Sequence, residues 1–590
     1  MRTFFQSILG SCLGVMMAFL VIFLILFGIG ASMFSGRDAK PSAKANTVLH
    51  LKLEQDLPEL TNNTQPIGFD QFTDKGKILS VHDYAELIQR AGSDKNIKGI
   101  YLNTGTSPLS QTKRAVLEKA LTKFKESGKF IYAYSEYYTG GTYHLASIAD
   151  KIGIFPSGGV DLRGVAAIVP HFKDLSDRIG IEFETYFAGK FKSATEPFRL
   201  NHMSEENKLQ TRSYLNSLYG NILKDISSNR NIDSAQLVRL VDDFLARNAD
   251  SALEHGLVDM IAYEDEIKDQ IREAIGLEQD EKINFLSIED YYKSDPLKRN
   301  LSEKNKIAVL YAEGQIHDGT EQYGTISGDS YVKAIQKIRQ DRNVKAVVLR
   351  VDSPGGSALA SEKIWRELRL LQEDGIPVVA SMGTYAASGG YYIASGAEYI
   401  TAEPTTITGS IGVFLMLPKI NKMMNEKIGI HFDTVSTNEM GAAFTPFFPS
   451  TPKEQTILQE QADQIYEIFL DRVAQARHMT LDEVNEIAQG RVWTGEQALK
   501  INLVDELGGL EQTIKKAAQL AGISEYRTVD YPQLKDPLIK MIENIFGDEF
   551  TAKMQMLNSG PMDLWKNQLT EELKSIRQPQ ARMPVDIIWE

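Results

Sequence analysis

One cysteine stands in 590 residues, Cys12, so the chain holds no internal disulfide and no cysteine-ligated zinc. Histidine is scarce as well: there are nine, none placed with a serine in a motif that would make a Ser/His pair. No HExxH helix and no P-loop is present, so neither a metal nor a nucleotide cofactor is expected. Positive charge is in deficit. The formal net charge is −14, with no basic run interleaved with aromatics, which argues against a nucleic-acid partner. A body without cysteine is compatible with an oxidising compartment.

What is present is ordinary for globular protein, 43% apolar and 24% charged residues. The length implies two or more domains, because single cores stop growing near ~250–300 residues. Residues 8–34 carry no charge and consist largely of Leu, Ile, Val, Phe, Met and Gly. At about 1.5 Å per residue this run spans a ~30 Å hydrocarbon core. A cleaved signal peptide would show an apolar core of only ~7–15 residues, so the run reads as a retained single-pass membrane anchor. Arg2 precedes it, while Arg37, Lys40 and Lys44 follow it, and the positive-inside rule therefore gives no orientation.

Beyond a polar linker over 35–45, strand-like and helix-like stretches alternate. Thr47 to Leu53, Ile97 to Leu102 and Lys129 to Tyr134 read as strands, with a helix from Gln111 to Phe124 between the last two. The same order returns at Ile307 to Ala312, Val344 to Val351, a helix through Ile364, Leu368 and Leu371, and Val379 to Ser381. Alternation of this kind predicts an α/β fold with a largely parallel sheet. The recurrence extends to residues. Asn96 to Ile100 matches Asn343 to Val347, Gly141/Tyr143 match Gly389/Tyr391, and Ile179 to Ile181 matches Ile428 to Ile430, at offsets of 247, 248 and 249. Two homologous domains follow, over 46–297 and 298–534, with a tail over 535–590 outside the pattern.

The copies disagree where chemistry would sit. Ser388, after the apolar run Pro377 to Ala380 and a break at Gly383, opens a small-residue turn into a helix-like Tyr391 to Ala397. Such a turn can present a nucleophilic hydroxyl, though it also suits plain close packing. Ser388 falls opposite Gly140, and Ser410 opposite Leu162, whereas Lys192 falls opposite Gly441. One copy keeps hydroxyls and no lysine; the other keeps a lysine and neither hydroxyl. That complementary loss is expected of one site assembled from both domains. Without a histidine, a neutral lysine can serve as base, which requires lowering its pKa from about 10.4 toward ~7 by burial. Asp352-Ser353-Pro354-Gly355-Gly356 follows a strand and could turn amides toward an oxyanion, or be an ordinary Pro-Gly turn. His144 and His317 read as packing or surface histidines.

With Ser-Gly-Gly-Tyr-Tyr at 388–392, Thr-Gly-Ser-Ile-Gly-Val at 408–413, Asp-Ser-Pro-Gly-Gly at 352–356, Lys-Ser-Ala-Thr-Glu-Pro-Phe at 192–198 and Val-Trp-Thr-Gly at 492–495, the chain resembles the signal peptide peptidase A (protease IV) family in its long double-domain form. The resemblance implies two tandem crotonase-like (ClpP-like) β-β-α domains behind a transmembrane helix. It implies a serine endopeptidase with a Ser/Lys dyad: Ser388 the nucleophile, Lys192 the general base, Ser410 the hydroxyl that positions the lysine. Gly355 or Gly356, with Gly389, would hold the oxyanion. It further implies degradation of hydrophobic signal-peptide remnants at the bacterial inner membrane, a periplasmic catalytic part and a homotetramer. Two rivals share the fold: an acyl-CoA hydratase or isomerase, which would need a carboxylate pair where Glu403 stands without an evident acidic partner, and a catalytically silent membrane scaffold.

Overall fold

The computed structural model describes residues 17, 21, 41–63, 77–294, 297, 302–319, 324–533 and 580–582. The expected anchor over 8–34, apart from two isolated positions, and the expected helix over 561–576 lie outside these residues. Among the described residues no helix is long and apolar enough to cross a membrane.

In the first repeat the elements that matter are β1 (Thr47–Lys52), α1 (Val81–Ser93), β2 (Ile97–Asn103), α2 (Gln111–Lys125), β3 (Phe130–Ser135), α3 (Gly140–Ala146) and β4 (Lys151–Ile154). They are followed by β5 (Glu182–Ala188), the long α4 (Glu205–Arg230), β6 (Met260–Ile261) and β7 (Asn284–Ser287). Strands β6-β4-β3-β2-β1-β7 form one sheet, parallel throughout. Helix α1 starts where the sequence provides a capping box, with the Ser80 hydroxyl accepting from the Asp83 amide. Its buried face, Val81, Tyr84, Leu87, Ile88 and Ala91, joins the core of this repeat with Leu117, Leu121 and Phe124 of α2.

The second repeat starts with β8 (Lys306–Glu313), β9 (Gln315–His317), β10 (Thr325–Ser327) and α5 (Gly328–Gln340). Then come β11 (Val344–Ser353), β12 (Gly355–Ser357), α6 (Ala358–Glu373), β13 (Val378–Ala387), α7 (Gly389–Ser395) and β14 (Tyr399–Ala402). It ends with β15 (Ile407–Gly409), β16 (Val413–Lys419), α8 (Pro452–Arg477), β17 (Val492–Thr494) and β18 (Arg527–Tyr531). Its sheet runs β17-β15-β13-β11-β8-β18, with β14 also on β13 and only β17 antiparallel to its neighbour. Every residue of β11 except Lys345 is buried, as expected of a parallel strand covered on both faces.

The alternation read from sequence is thus present in both repeats, with one difference at β13. Gly383 does not end that strand. It continues to Ala387, because Ala386 pairs in parallel with Ser353 of β11 and Tyr385 to Ala387 pair in parallel with Ile407 to Gly409 of β15. The helix consequently starts at Gly389, two residues before the expected Tyr391, and stops at Ser395.

A third sheet joins the repeats. Its order is β10-β9-β12-β19-β16-β5, where β19 is Gln580–Arg582. β16 of the second repeat pairs antiparallel with β5 of the first along its whole length, from Val413↔Ala188 to Lys419↔Glu182. This pairing delivers the end of β5, and the turn that follows it, to the second repeat.

Candidate active site

Strand β13 ends at Ala387, and the backbone reverses at Ser388, whose φ of 57° and ψ of −117° are unusual for a residue with a side chain. Such a conformation costs on the order of 1–3 kcal/mol and persists only where its surroundings enforce it. Here the Ser388 amide donates to the Gly409 carbonyl at 2.8 Å. Two residues on, Gly390 presses against β11: a Cβ there would stand 2.5 Å from the Ser353 carbonyl oxygen. The first-turn N–H groups of α7, beside Ser388, have no intrahelical acceptors, and the Ser388 side chain does not cap them.

Lys192 comes from the other repeat. After β5 the chain turns at Gly189 (φ 105°), whose Cα approaches Gln489 so closely that a Cβ would meet its backbone at 2.4 Å. The Phe191 amide donates to the Gln489 carbonyl at 2.8 Å, and the Lys192 amide to Gly189 at 3.0 Å. The turn therefore sits against the second repeat, and the lysine side chain points inward. Its Nζ donates to Ser388 Oγ at 2.8 Å, to Ser410 Oγ at 3.1 Å and to the Ser410 carbonyl at 3.1 Å. The three residues named from sequence are brought into one cluster, and their exposures are 0%, 1% and 0% for Ser388, Lys192 and Ser410. Burial alone pulls the Lys192 pKa down from 10.5 to about 7. That leaves a large fraction of the amine neutral near neutrality, able to accept a proton from a hydroxyl at hydrogen-bond distance.

The three expected oxyanion glycines flank this cluster. Gly355 and Gly356 open β12 at φ values of 102° and 154°, and α7, opened by Gly389, packs on β12. A Cβ on Gly356 would lie 1.8 Å from the Ile316 carbonyl oxygen. The Gly355 amide donates to Ser353 Oγ at 3.1 Å in this state.

Several participants left little trace in the sequence reading. Gly490 (φ 77°) lies against Lys192, where a Cβ would sit 2.7 Å from its N and Cβ, and a Cβ on Gly412 would sit 2.9 Å from the Gly490 Cα. Gly490 is two residues before the Val-Trp-Thr-Gly stretch, the one local signal that could have drawn attention to it. Asp352, at the end of β11, accepts from the Tyr385 amide at 2.9 Å and so ties the strand before the glycines to the strand before Ser388. Burial, with Glu59 nearby, pushes its carboxyl upward.

Other candidates resolve differently. His317 bonds Thr325 Oγ1 at 2.9 Å, and His144 is buried on α3 beside Asp225 at 3.1 Å and Glu118 at 3.6 Å. Glu403 is buried and paired with Lys119 at 2.5 Å. A cavity of about 1250 Å³, lined in part by Ser80, Lys119, Tyr311, Glu403 and Lys515, includes none of the three clustered residues.

The model of Peptidase family S49 matches the sequence twice, over residues 123–278 and 371–524, one stretch in each repeat. The chain is 35% identical over 531 residues to Protease 4 of Salmonella typhi, covering 88% of this chain and 85% of that one. It is 36% identical to Protease 4 of Haemophilus influenzae, covering 75% and 73% respectively. A chloroplastic serine protease SPPA of Arabidopsis thaliana is 32% identical, over 80% of this chain and 70% of its own length.

Proposed function

We propose a mechanism from one premise: the chain belongs to peptidase family S49 and is a serine protease. In this reading Ser388 attacks a peptide carbonyl while neutral Lys192 takes its proton. The resulting ammonium returns that proton to the leaving amine, and the lysine then activates water to hydrolyse the acyl-enzyme. The observation that carries the reading is the 2.8 Å contact between Lys192 Nζ and Ser388 Oγ in a site where burial holds the amine near pKa 7. Ser410, bonded to the same amine through its hydroxyl and its carbonyl, orients it. The oxyanion falls to the Gly356 and Gly389 amides, with Gly355 joining once Ser353 Oγ is displaced.

The substrates we assign are hydrophobic peptides of the signal-peptide kind, cut at the membrane to which residues 8–34 anchor the chain. The charge-free run supports the anchor, and the resemblance supports the substrate class, the periplasmic catalytic part and the homotetramer.

Ser388→Ala is expected to lower hydrolysis of a casein or signal-peptide substrate at least ~10⁴-fold, and Lys192→Ala by ~10²–10⁴-fold, with folding intact. A fluorophosphonate should label Ser388 in the natural chain and leave Ser388→Ala unlabelled. Full activity in Lys192→Ala rules out the dyad.

A further inference from the structure

Helix α3 of the first repeat is the counterpart of α7, the helix that follows Ser388, and around it the copies differ a second time. Tyr143 of α3 and Tyr391 of α7 are equivalent: each hydroxyl donates to a main-chain carbonyl, that of Leu257 and that of Leu503. Helices α2 and α6 start at equivalent serine caps, Ser110 and Ser357. Helices α4 and α8 are both 26 residues long and end at a left-handed residue, Asn231 and His478. Counted from these landmarks, Glu118 takes the place of Trp365, His144 that of Tyr392 and Asp225 that of Arg472.

In the second repeat the three positions satisfy one another with a built-in cation. The Arg472 guanidinium lies 4.2 Å from the centre of the Trp365 ring and donates to Glu362 at 2.8 Å, and Glu362 also accepts from the Tyr392 hydroxyl. In the first repeat the cation and both aromatic rings are gone, and all three replacements are metal-ligand types. His144 Nε2 lies 3.1 Å from Asp225 Oδ2 and 3.6 Å from Glu118 Oε2. Among the described residues this is the one group of three such side chains with ligand atoms all within 4.8 Å of one another. Two ligands ~2.0–2.1 Å from a tetrahedral ion stand ~3.3–3.4 Å apart, and the two observed distances bracket that edge.

The surroundings leave the group open to an ion. Glu118 Oε1 accepts from Asn229 Nδ2 at 2.8 Å, which orients the carboxylate with its other oxygen toward the imidazole. His144 is 1% exposed, and its Nδ1 has no hydrogen-bond partner among the described residues. No contact at Nδ1 therefore fixes which nitrogen holds the proton, and Nε2 can present its lone pair to a metal. The Asp225 side chain is 38% exposed, which leaves a path for entry and room for a water as fourth ligand.

We propose that Glu118, His144 and Asp225 bind a divalent transition-metal ion of the Zn²⁺ type, which ties α2, α3 and α4 of the first repeat together. One imidazole with two carboxylates suits such an ion, whereas Ca²⁺ and Mg²⁺ favour all-oxygen sets. The ion supplies the positive charge that Arg472 supplies in the sister copy. Its role is structural. Asp225 stands ~22 Å along α4 from Gln210, whose amide donates to the Phe191 carbonyl beside Lys192 at 3.0 Å, so no step of peptide hydrolysis passes through it.

The test uses the full chain, stripped with EDTA and dialysed against Zn²⁺. The natural chain should retain about one equivalent at this site, and free Zn²⁺ at about 100 times the dissociation constant should lower the unfolding constant measured in urea about 100-fold. Asp225→Asn and Glu118→Gln keep the shape of each side chain, and each should weaken Zn²⁺ binding at least ~10-fold and lose most of the stabilisation. Mg²⁺ and Ca²⁺ at the same concentration should stabilise neither the natural chain nor the variants. No retained Zn²⁺, or equal retention by the natural chain and both variants, overturns the proposal and leaves the group a plain hydrogen-bonded cluster. Stabilisation by Ca²⁺ or Mg²⁺ equal to that by Zn²⁺ overturns it as well, because a site built on His144 must favour the transition metal.

Discussion

Arg350 on β11 of the second repeat is held by both oxygens of Glu59, which lies after β1 of the first repeat and 291 residues earlier in the chain. The distances are 2.9 Å from Nε and 3.2 Å from Nη2, and each side chain is 1% exposed. The remaining arginine donor bonds Ser381 Oγ and the Met382 carbonyl on β13. Burial would raise the Glu59 pKa, but Arg350 and His82 outweigh it and hold the carboxyl well below its usual range. This contact locks the repeats together on the strands that end at Ser353 and Ala387.

Removing one partner leaves a buried charge uncompensated, which costs about 3–5 kcal/mol. Glu59→Ala should accordingly lower the urea midpoint of unfolding and activity together. The sign with pH follows from the depressed carboxyl. Its contribution is present above the unfolded value of about 4.5 and is lost as pH falls through the lower folded value. The natural chain should therefore lose stability in acid more steeply than Glu59→Gln; parallel acid curves would remove the ion pair from the account.

A second expectation concerns Gly490. With φ at 77° and Lys192 2.7 Å from where a Cβ would be, Gly490→Ala must displace the lysine turn. A shift of about 1 Å at a reacting group can cost ~10²-fold in rate. Steady-state kinetics should show kcat reduced by that order with KM little changed, and slower labelling of Ser388 by fluorophosphonate. Wild-type kcat in this variant would mean that the lysine position is not set by the glycine contact.

Ser410→Ala isolates the positioning hydroxyl. Lys192 would keep Ser388 and the Ser410 carbonyl as acceptors and lose only the hydroxyl at 3.1 Å. A loss of ~10–10²-fold in kcat is expected, less than for Lys192→Ala, together with a displaced midpoint in the pH profile. If the midpoint stays and kcat is unchanged, Ser410 is only packed there.

Ser388, Lys192 and Ser410 were legible because duplication supplies an internal comparison: each is kept in one copy and missing from the other. Strands such as β11 were legible from their apolar runs. Glu59 and Arg350 were not, since a pairing across 291 residues leaves no local pattern in either segment. Nor was the close approach of Gly189, Gly412 and Gly490, because a glycine that admits a neighbouring backbone looks in sequence like any turn glycine. Gly383 misled for the same reason, being a glycine inside a strand whose ladder continues past it. The third sheet draws strands from both repeats and the tail, and no single repeat contains the pattern of that assembly.

The last prediction concerns Lys192 itself. Its folded pKa of about 7 lies below the ordinary 10.5, so the amine is charged below ~7 and neutral above it. Since only the neutral amine accepts the serine proton, kcat should rise with pH through about 7 and then level off. Stability moves in the same direction. Between ~7 and 10.5 the unfolded chain holds a proton that the folded chain has released, so unfolding becomes harder as pH rises across that window. The difference of 3.5 pH units corresponds to about 5 kcal/mol at most. Lys192→Met removes this burden and should abolish hydrolysis while stabilising the fold, more at pH 6 than at pH 10. Urea unfolding at the two pH values measures it. An equal gain at both, or a natural chain whose kcat climbs only near pH 10, would show that the lysine is not held neutral, and a charged amine cannot deprotonate Ser388.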